Sequence, residues 1–468
     1  MDETVPGIVD RAKTLAGGRT AKVIGCLAFA CGVLWFSGRS ELESPARWTL
    51  FVVALAAAMW ATEAIPAFAV ALLVIGLLIL ILGQPSSILG EGPGEWEIYA
   101  ATLGSPLIWL FFGGFVLAAA ADKTGLSRVM AREVLRRFGN HPKGLLAGGM
   151  TVTFFSSMFI SNTAAATMMI AVMMPILGVL PQADRFRRGL LLGIAFAANV
   201  GGMGTVIGSP PNAIAAGALQ AIRPVDFFGW MLAAVPPAVA SIVLIYLYLL
   251  YRYPASVSHI DLSGFVSPVD GSDGMANSRK GVIAVFLITI GLWLTQSLHG
   301  VPAPVVAFLP ICAFCSAGIL SDDDICAIRW DVLLLIAGGL SLGLAVTQTG
   351  VAIWMVGLLP LDQVPQWVVV SSLAFVTMAV SNVMSNTAAA NILVPIGIAM
   401  GAGNEAATVI PMALSASAAM CLPISTPPNA IAYGTGQLRS WDLIEGGLWI
   451  GILVPILASV WGGLMLGY

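Results

Sequence analysis

The sequence predicts an all-α polytopic membrane protein, and three observations support this fold class: the composition, the long apolar runs and an internal repeat. Of the 468 residues, 58% are hydrophobic and 10% are charged, and the mean hydropathy is +0.92. Soluble domains carry about a quarter charged residues, so the composition excludes a soluble globular domain. The net charge of −3 says little, because in a membrane protein the distribution of charge matters more than its sum.

Apolar runs long enough to cross a bilayer, about 20 residues when untilted, recur along the chain. The run at residues 48–82 is too long for one helix, and we expect two helices separated near residues 63–66. With the motif regions described below, the sequence predicts about 11 transmembrane helices. The other candidate spans are residues 22–35, 107–121, 227–251, 281–295, 303–320, 332–346 and 443–466.

The basic residues fall in tight groups that indicate an orientation. With a cytoplasmic N-terminus and alternating spans, all but three of the 21 Lys and Arg lie on the cytoplasmic side, the exceptions being Arg39, Arg47 and Arg223. Cytoplasmic loops carry an excess of basic residues, so we expect the N-terminus inside and the C-terminus outside. Residues 123–138 combine apolar and basic residues near helical spacing, which predicts an amphipathic helix on the cytoplasmic surface; a basic loop is the alternative.

The hexapeptide SNTAAA occurs at residues 161–166 and again at 385–390, and a serine precedes each copy by four residues, Ser157 and Ser381. Gly-Gly and Thr-Gly pairs further upstream repeat at nearly the same offset of about 225 residues. A constant offset over this length indicates a duplication. Six basic residues lie between Lys123 and Lys143, whereas the matching stretch has none. The sequence therefore predicts an inverted repeat, a signature of secondary transporters.

Each SNT segment lies between two apolar arms, residues 144–160 and 164–180 in the first copy. Either two full helices cross the membrane with SNT in an outer loop, or a re-entrant hairpin turns near the midplane. The second copy has no basic flanks, which favours a hairpin that enters from outside. Two inverted re-entrant hairpins would bring both SNT tips together at mid-membrane and form one site from two halves.

The chemistry of these segments suits an anion and a small cation. Ser, Asn and Thr offer hydroxyls and an amide, and backbone N–H groups at helix starts suit carboxylate or sulfate oxygens. Oxygen ligands suit Na⁺, to which Ser157 and Ser381 could add hydroxyls. The alternative is that these polar residues only cap helices or hold packed helices together.

A Pro-Pro-Asn run follows each SNT segment, at residues 210–212 and 427–429. Tandem prolines interrupt a helix, and broken backbone at membrane depth is tolerated only where it lines a cavity or the protein interior. No Lys or Arg lies between Arg329 and Arg439. An anion there would be held by neutral dipoles and by co-bound cations, which couples its binding to Na⁺.

With these paired SNT and PPN motifs, and with the segment WATEAIP at residues 60–66, the whole chain resembles the divalent anion/Na⁺ symporter family of dicarboxylate and citrate carriers. The resemblance implies a homodimer in which a transport domain moves against a scaffold domain by an elevator mechanism. It implies that substrate is bound by Ser161, Asn162, Thr163, Ser209, Pro210, Ser385, Asn386, Thr387, Thr426 and Pro427. It implies that Na⁺ is bound by Ser157, Ser161, Asn162 and Gly208 in one site, and by Ser381, Met384, Asn386 and Ser425 in the other.

This resemblance also implies a domain organisation. After a cytoplasmic segment at residues 1–21, residues 22–143 and 281–365 are mainly scaffold helices, and 253–280 form a cytoplasmic loop. Residues 144–252 and 366–468 form the two halves of the transport domain.

The function expected from the sequence is sodium-coupled symport of C4-dicarboxylates such as succinate, malate or fumarate across the plasma membrane, in a bacterium the inner membrane. The expected partners are the divalent anion, Na⁺, the lipid bilayer and a second copy of the chain, with no nucleic acid. Citrate or sulfate transport and Na⁺-independent dicarboxylate exchange are the nearest alternatives. An ion channel would need a continuous polar pore stripe, and an enzyme would need a catalytic dyad or metal cluster within the spans. Neither is found in the sequence, so no enzymatic activity is expected.

Overall fold

The computed structural model describes residues 8–83, 95–220, 222–260, 273–358, 364–401 and 403–467. In these residues the regular structure is helical. The α-helices, in chain order, are α1 (Ile8–Ser37), α2 (Ser44–Thr62), α3 (Ala67–Ile81), α4 (Trp96–Ala100), α5 (Pro106–Lys123), α6 (Leu126–Phe138), α7 (Pro142–Ser157), α8 (Asn162–Val179), α9 (Phe186–Gly201), α10 (Pro210–Leu219), α11 (Phe227–Arg252), α12 (Asp273–Leu294), α13 (Gln296–His299), α14 (Ala303–Val306), α15 (Phe308–Ser316), α16 (Asp322–Cys326), α17 (Trp330–Gln348), α18 (Val351–Gly357), α19 (Gln366–Ser381), α20 (Asn386–Met400), α21 (Glu405–Ser417), α22 (Pro427–Gly434) and α23 (Ser440–Leu466).

Within the described residues, eight helical segments are long and apolar enough to cross a membrane, and several shorter apolar helices accompany them. This confirms the prediction of an all-α protein with many apolar spans. The count of 11 spans stays a prediction. The eight segments are Gly18–Ser37, Ser44–Thr62, Trp96–Lys123, Asn162–Val179, Phe227–Arg252, Asn277–Leu294, Trp330–Gln348 and Ser440–Leu466.

The long apolar run at residues 48–82 forms two helices, as predicted. Helix α2 ends at Thr62, and Glu63 adopts a left-handed backbone with φ of 49° before α3 begins after Pro66. Proline disfavours a helical conformation in the residue before it, which fixes the break here. Lys22 of α1 donates to the carbonyl of Thr62 at 2.9 Å, so a basic side chain satisfies the end of α2.

The run at residues 303–320 differs from the single span predicted. It forms the short helices α14 and α15, which meet at Ala307, and α15 ends at Ser316. Pro310 lacks the N–H that would continue the bond to the carbonyl of Val306. The proline thus explains the discontinuity.

Contacts divide the chain into two compact units. One comprises residues 1–104 and 334–361, and the other comprises residues 105–333 and 362–468. The second unit contains both SNT segments and both PPN runs. The scaffold and transport roles assigned above to parts of the chain stay predictions.

Inside the second unit, the elements that carry the two motifs pack in a reciprocal way. Helix α7 packs against α9, and α19 packs against α21 in the same manner. The short helix α10, from the first half, packs against α20 and α21 from the second half. Conversely, α22 packs against α8 and α9. Each proline-initiated helix therefore lies against the helices of the other half.

Candidate functional site

We call α7 to α10 the first copy and α19 to α22 the second copy, because these helices carry the repeated motifs in the same order. In each copy the SNT segment is a turn between two helices that contact each other. Ser161 is the N-cap of α8, and its Oγ accepts from the N–H of Ala164 at 3.2 Å. Ser385 caps α20 in the same way through Ala388, also at 3.2 Å. Serine is a favoured N-cap because it satisfies an exposed backbone donor.

Behind the first turn lies a cluster of three oxygen atoms. The hydroxyl of Ser157 is 2.8 Å from Oδ1 of Asn162 and 2.6 Å from the carbonyl oxygen of Ala198. Ser157 is fully buried. Since a hydroxyl has one proton to donate, two acceptors compete for it, and the cluster is rich in oxygen lone pairs. Such a set suits a small hard cation.

The second copy repeats this geometry. The hydroxyl of Ser381 is 2.8 Å from Oδ1 of Asn386 and 2.9 Å from the carbonyl oxygen of Ala416. The structure therefore brings together the serine and asparagine that the sequence predicted in each copy. It adds two carbonyl groups, those of Ala198 and Ala416, that the sequence reasoning missed. An alanine has no side-chain chemistry, so only its matched position in the repeat could have indicated it.

In the first copy, a glycine-rich loop closes on the oxygen cluster. A Cβ atom on Gly202 would lie 2.3 Å from Oδ1 of Asn162, and one on Gly208 would lie 2.5 Å from the carbonyl oxygen of Gly202. Only glycine permits an approach this close. Gly208 thus packs on Gly202, which in turn packs on Asn162 of the cluster.

The remaining candidates of the second sodium set are arranged differently. Ser425 lies 3.4 Å from the carbonyl oxygen and 3.3 Å from Oδ1 of Asn382, the residue after Ser381. Its Oγ also accepts from the N–H of Leu422 at 3.1 Å. Met384 lies in the turn itself, where its N–H donates to Val380. Ser425 is therefore bonded to the turn between α19 and α20, at the residue that follows Ser381 of the second cluster.

The tandem prolines start helices, since Pro210 and Pro427 are the first residues of α10 and α22. Proline suits this position because the N–H it lacks would have no helical partner. The asparagine of each PPN run then donates to the preceding loop. Asn212 reaches the carbonyls of Gly202 and Thr205 at 2.9 and 2.7 Å. The carbonyls of Gly202 and Thr205 thus already have a donor.

Two hydrogen bonds connect the two copies at the residues that precede the prolines. The hydroxyl of Ser209 is 3.1 Å from that of Ser417 in α21. In the reciprocal position, Nδ2 of Asn199 in α9 donates to Oγ1 of Thr426 at 2.9 Å. All four side chains are buried. The two copies are therefore joined by buried side-chain hydrogen bonds at these residues.

The SNT turns keep polar groups available for a ligand. The residues Asn162, Thr163, Asn386 and Thr387 are half-buried, and Ser385 is exposed. In the described part of the chain, the hydroxyls of Thr163 and Thr387 have no hydrogen-bond partner. The helix starts beside them direct backbone N–H groups and a positive dipole end outward. A bound anion can be held by these groups without a basic side chain.

The chain is similar to known transporters in sequence and in fold. The model of the citrate transporter family matches residues 57–414. The chain is 29% identical to the sodium-dependent dicarboxylate transporter SdcS of Staphylococcus saprophyticus over 467 residues, which covers 92% of this chain and 88% of the relative. It is 28% identical to SdcS of Staphylococcus aureus over 479 residues, covering 94% and 90%. The crystal structure of the YdaH transporter of Alcanivorax borkumensis is similar in fold, with a TM-score of 0.58, 15% identity and coverage of 85% and 98%.

Proposed function

Because the chain belongs to the citrate transporter family, a family of multi-pass membrane transporters, we propose that it is a sodium-coupled symporter of C4-dicarboxylates such as succinate, malate and fumarate. The observation that carries this proposal is the pair of matched oxygen clusters, one beside each uncharged SNT turn. The names of the relatives, sodium-dependent dicarboxylate transporters, support both the ion and the substrate class.

The substrate is bound between the two SNT turns. One carboxylate contacts the first turn, through Asn162 and Thr163, and the other contacts the second, through Asn386 and Thr387. The hydroxyls of Thr163 and Thr387 are unused within the described chain and serve as donors, together with the N–H groups at the starts of α8 and α20. Ser161, Ser385, Ser209, Pro210, Thr426 and Pro427 border the same site.

Each oxygen cluster binds one Na⁺. In the first copy the ligands are Ser157, Asn162 and the carbonyl of Ala198, with Ser161 and Gly208 nearby. In the second copy they are Ser381, Asn386 and the carbonyl of Ala416, with Met384 and Ser425 nearby. Lone pairs of both acceptor oxygens coordinate the cation, so the serine hydroxyl no longer has to donate its single proton to two oxygens.

Coupling follows from the shared asparagines. Asn162 and Asn386 contribute Oδ1 to the clusters while their turns face the substrate. A bound Na⁺ fixes each amide and adds positive charge beside a site that contains no Lys or Arg. A dianion binds well only when the cations are present, since their charge offsets the cost of removing the anion from water.

The movement that carries the site across the membrane is of the elevator type, in a homodimer with scaffold and transport domains. The SNT turns are the tips of two re-entrant hairpins in an inverted repeat, within about 11 spans. The protein lies in the plasma membrane, with a cytoplasmic N-terminus and an external C-terminus. These features rest on the family resemblance and on the distribution of Lys and Arg.

Uptake of labelled succinate into proteoliposomes, with and without an inward Na⁺ gradient, tests the function. Symport predicts accumulation that requires the Na⁺ gradient. Uptake that ignores Na⁺ but depends on internal dicarboxylate would establish exchange instead. Citrate is the second candidate substrate because the family model carries that description. Inhibition of uptake by citrate but not by malate would therefore move the assignment from dicarboxylate to citrate.

Variants test the site separately from the function. Asn162→Ala and Asn386→Ala each remove one substrate contact and one Na⁺ ligand, so each should abolish uptake while folded protein remains in the membrane. Transport at the wild-type rate by both variants would refute the proposed site but would leave the assignment of the transported substrate unchanged.

A further inference from the structure

We propose that Asn199 and Ser417 are positioning residues of the anion site. Asn199 fixes the direction in which the hydroxyl of Thr426 in the other copy donates, and Ser417 holds Ser209 of the other copy by the reciprocal hydrogen bond. This inference rests on the proposed function, and it assigns a role to two residues that lie outside the SNT and PPN motifs.

The two residues occupy matched positions. Asn199 directly follows Ala198, and Ser417 directly follows Ala416, the two alanines whose carbonyls complete the oxygen clusters. Asn199 is 1% exposed and Ser417 is 0% exposed. Each is therefore held between a cation cluster of its own copy and a helix start of the other copy.

The direction of the bond to Thr426 follows from the chemistry of its partners. The NH₂ group of Asn199 can only donate, and it lies 2.9 Å from Oγ1 of Thr426. The backbone N–H of Asn429 also donates to this oxygen, at 3.4 Å. A hydroxyl has two acceptor positions and one proton. With both acceptor positions occupied, Thr426 has only its proton left to offer.

A donating hydroxyl is what an anion site without basic residues needs. A hydrogen bond to a charged group contributes more than a neutral one, and a donor already oriented loses less entropy on binding. Asn199 touches no substrate in this scheme. It acts through Thr426 by preventing that hydroxyl from turning its proton inward.

In the reciprocal pair, Ser209 and Ser417, either serine can be the donor, so this bond alone fixes no direction. The asparagines of the two PPN runs also differ. Oδ1 of Asn429 lies 3.4 Å from Nδ2 of Asn199, whereas the matching Oδ1 of Asn212 is buried without a partner in the described chain. We therefore expect the hydrogen bond between Asn199 and Thr426 to contribute more to anion binding than the bond between Ser417 and Ser209.

A double-mutant cycle on succinate uptake at saturating Na⁺ tests the proposal. Thr426→Val should raise KM about 10-fold or more, and Asn199→Leu about 3- to 10-fold, with Vmax per folded transporter changed less. Asn199→Asp should raise KM further, because its carboxylate accepts the proton of Thr426. If Asn199 acts through Thr426, then Asn199→Leu adds almost nothing in the Thr426→Val background.

Matched controls separate positioning from packing. Asn391→Leu replaces another buried asparagine, and Ser415→Ala removes a buried hydroxyl two residues from Ser417; both side chains lack partners within the described residues. Neither control should change KM. Ser417→Ala should raise KM less than Asn199→Leu does.

Two results would overturn the inference. One is an increase in KM from Asn199→Leu that multiplies fully with that of Thr426→Val. The other is an unchanged KM with a lower Vmax, which would mean a purely structural role. Both results are changes relative to a wild-type protein that takes up succinate with Na⁺, so neither would count against the proposed function. A wild type without such uptake would instead count against the proposed function, and the inference would fall with it.

Discussion

Ser157 in the first copy and Ser381 in the second each lie within 2.6–2.9 Å of an asparagine oxygen and a helix carbonyl. The loops that precede the PPN runs are matched far less closely. Ile207, the residue before Gly208, is 6% exposed and packs on Gly114 of α5. The equivalent residue of the second copy, Ile424, is 83% exposed. The duplication has thus kept the geometry of the clusters, which depends on a few atoms, while the packing of these loops has diverged.

Divergence also reaches the loop that touches the clusters. Gly202, which the asparagine of the first copy contacts, corresponds to Met420 in the second copy, and Gly208 corresponds to Ser425. The backbone role survives the change, because the carbonyls of Gly202 and Met420 each accept from a PPN asparagine at 2.9 Å. The two proposed Na⁺ sites therefore share their core ligands and differ in how tightly the loop encloses them.

Of the variants that probe the difference between the two copies, Gly202→Ala is expected to have the largest effect. The new Cβ would lie 2.3 Å from Oδ1 of Asn162, and it would displace this proposed Na⁺ ligand together with the SNT turn that is proposed to bind the substrate. Uptake should fall by about 100-fold or more, since a displacement of this size disrupts a positioned site. The control is Gly178→Ala in α8, where a Cβ meets nothing within 4 Å. Near-normal uptake by the Gly202 variant would show that the loop can retreat from the cluster.

Removal of the cluster hydroxyls comes next in size. Ser157→Ala and Ser381→Ala each delete one proposed Na⁺ ligand while the carbonyl and amide oxygens remain. The Na⁺ concentration for half-maximal uptake should rise about 10-fold in each variant, as expected for one lost contact to a charged group. A measured Na⁺ titration at saturating succinate checks this. A change in only one variant would mean that the two clusters are not equivalent ion sites.

Ser425→Gly converts the second copy toward the first. The variant loses a hydroxyl that contacts Asn382 at 3.3–3.4 Å, but it keeps the Ser381 cluster. We expect a change of about 2- to 5-fold in the half-saturating Na⁺ concentration, with KM for succinate unaltered. A loss as large as that of Ser381→Ala would place Ser425 among the primary ligands.

The smallest effect concerns stability. Asn391 follows Asn386 by five residues and is fully buried, and both polar atoms of its amide lack partners in the described chain. Its counterpart Thr167 is exposed and bonds to its own helix at 2.8 Å. Asn391→Leu should increase the free energy of unfolding by about 1–3 kcal/mol, because it removes unsatisfied polar groups. Thermal melting in detergent measures this, with Thr167→Val as a control expected within about 0.5 kcal/mol. A lower melting temperature for Asn391→Leu would contradict the prediction.

Features that depend on side-chain type were predictable from the sequence. Proline chemistry indicated the end of α2 near residues 63–66 and the interruptions at the PPN runs. The repeated letters identified Ser157, Asn162, Ser381 and Asn386, which the structure brings together in pairs. These predictions succeeded because each depends on a local rule.

Features that depend on backbone position or on unlike residues were not predictable. The carbonyls of Ala198 and Ala416 enter the clusters through helix packing and not through a side-chain property. Asn199 and Ser417 share a position but not a residue type, so the repeat did not reveal them. The division of residues 303–320 into α14 and α15 was also missed, although Pro310 could have indicated it by the same local rule as the other prolines.

The number of Na⁺ ions transported with each succinate tests the two-cluster arrangement most directly. In proteoliposomes with opposing Na⁺ and succinate gradients, this number follows from the sizes of the two gradients at which the net succinate flux is zero. Two matched clusters around one anion site predict at least two Na⁺ per succinate in the wild type. A ratio of one or zero would contradict the assignment of a cation to each of the clusters at Ser157 and Ser381.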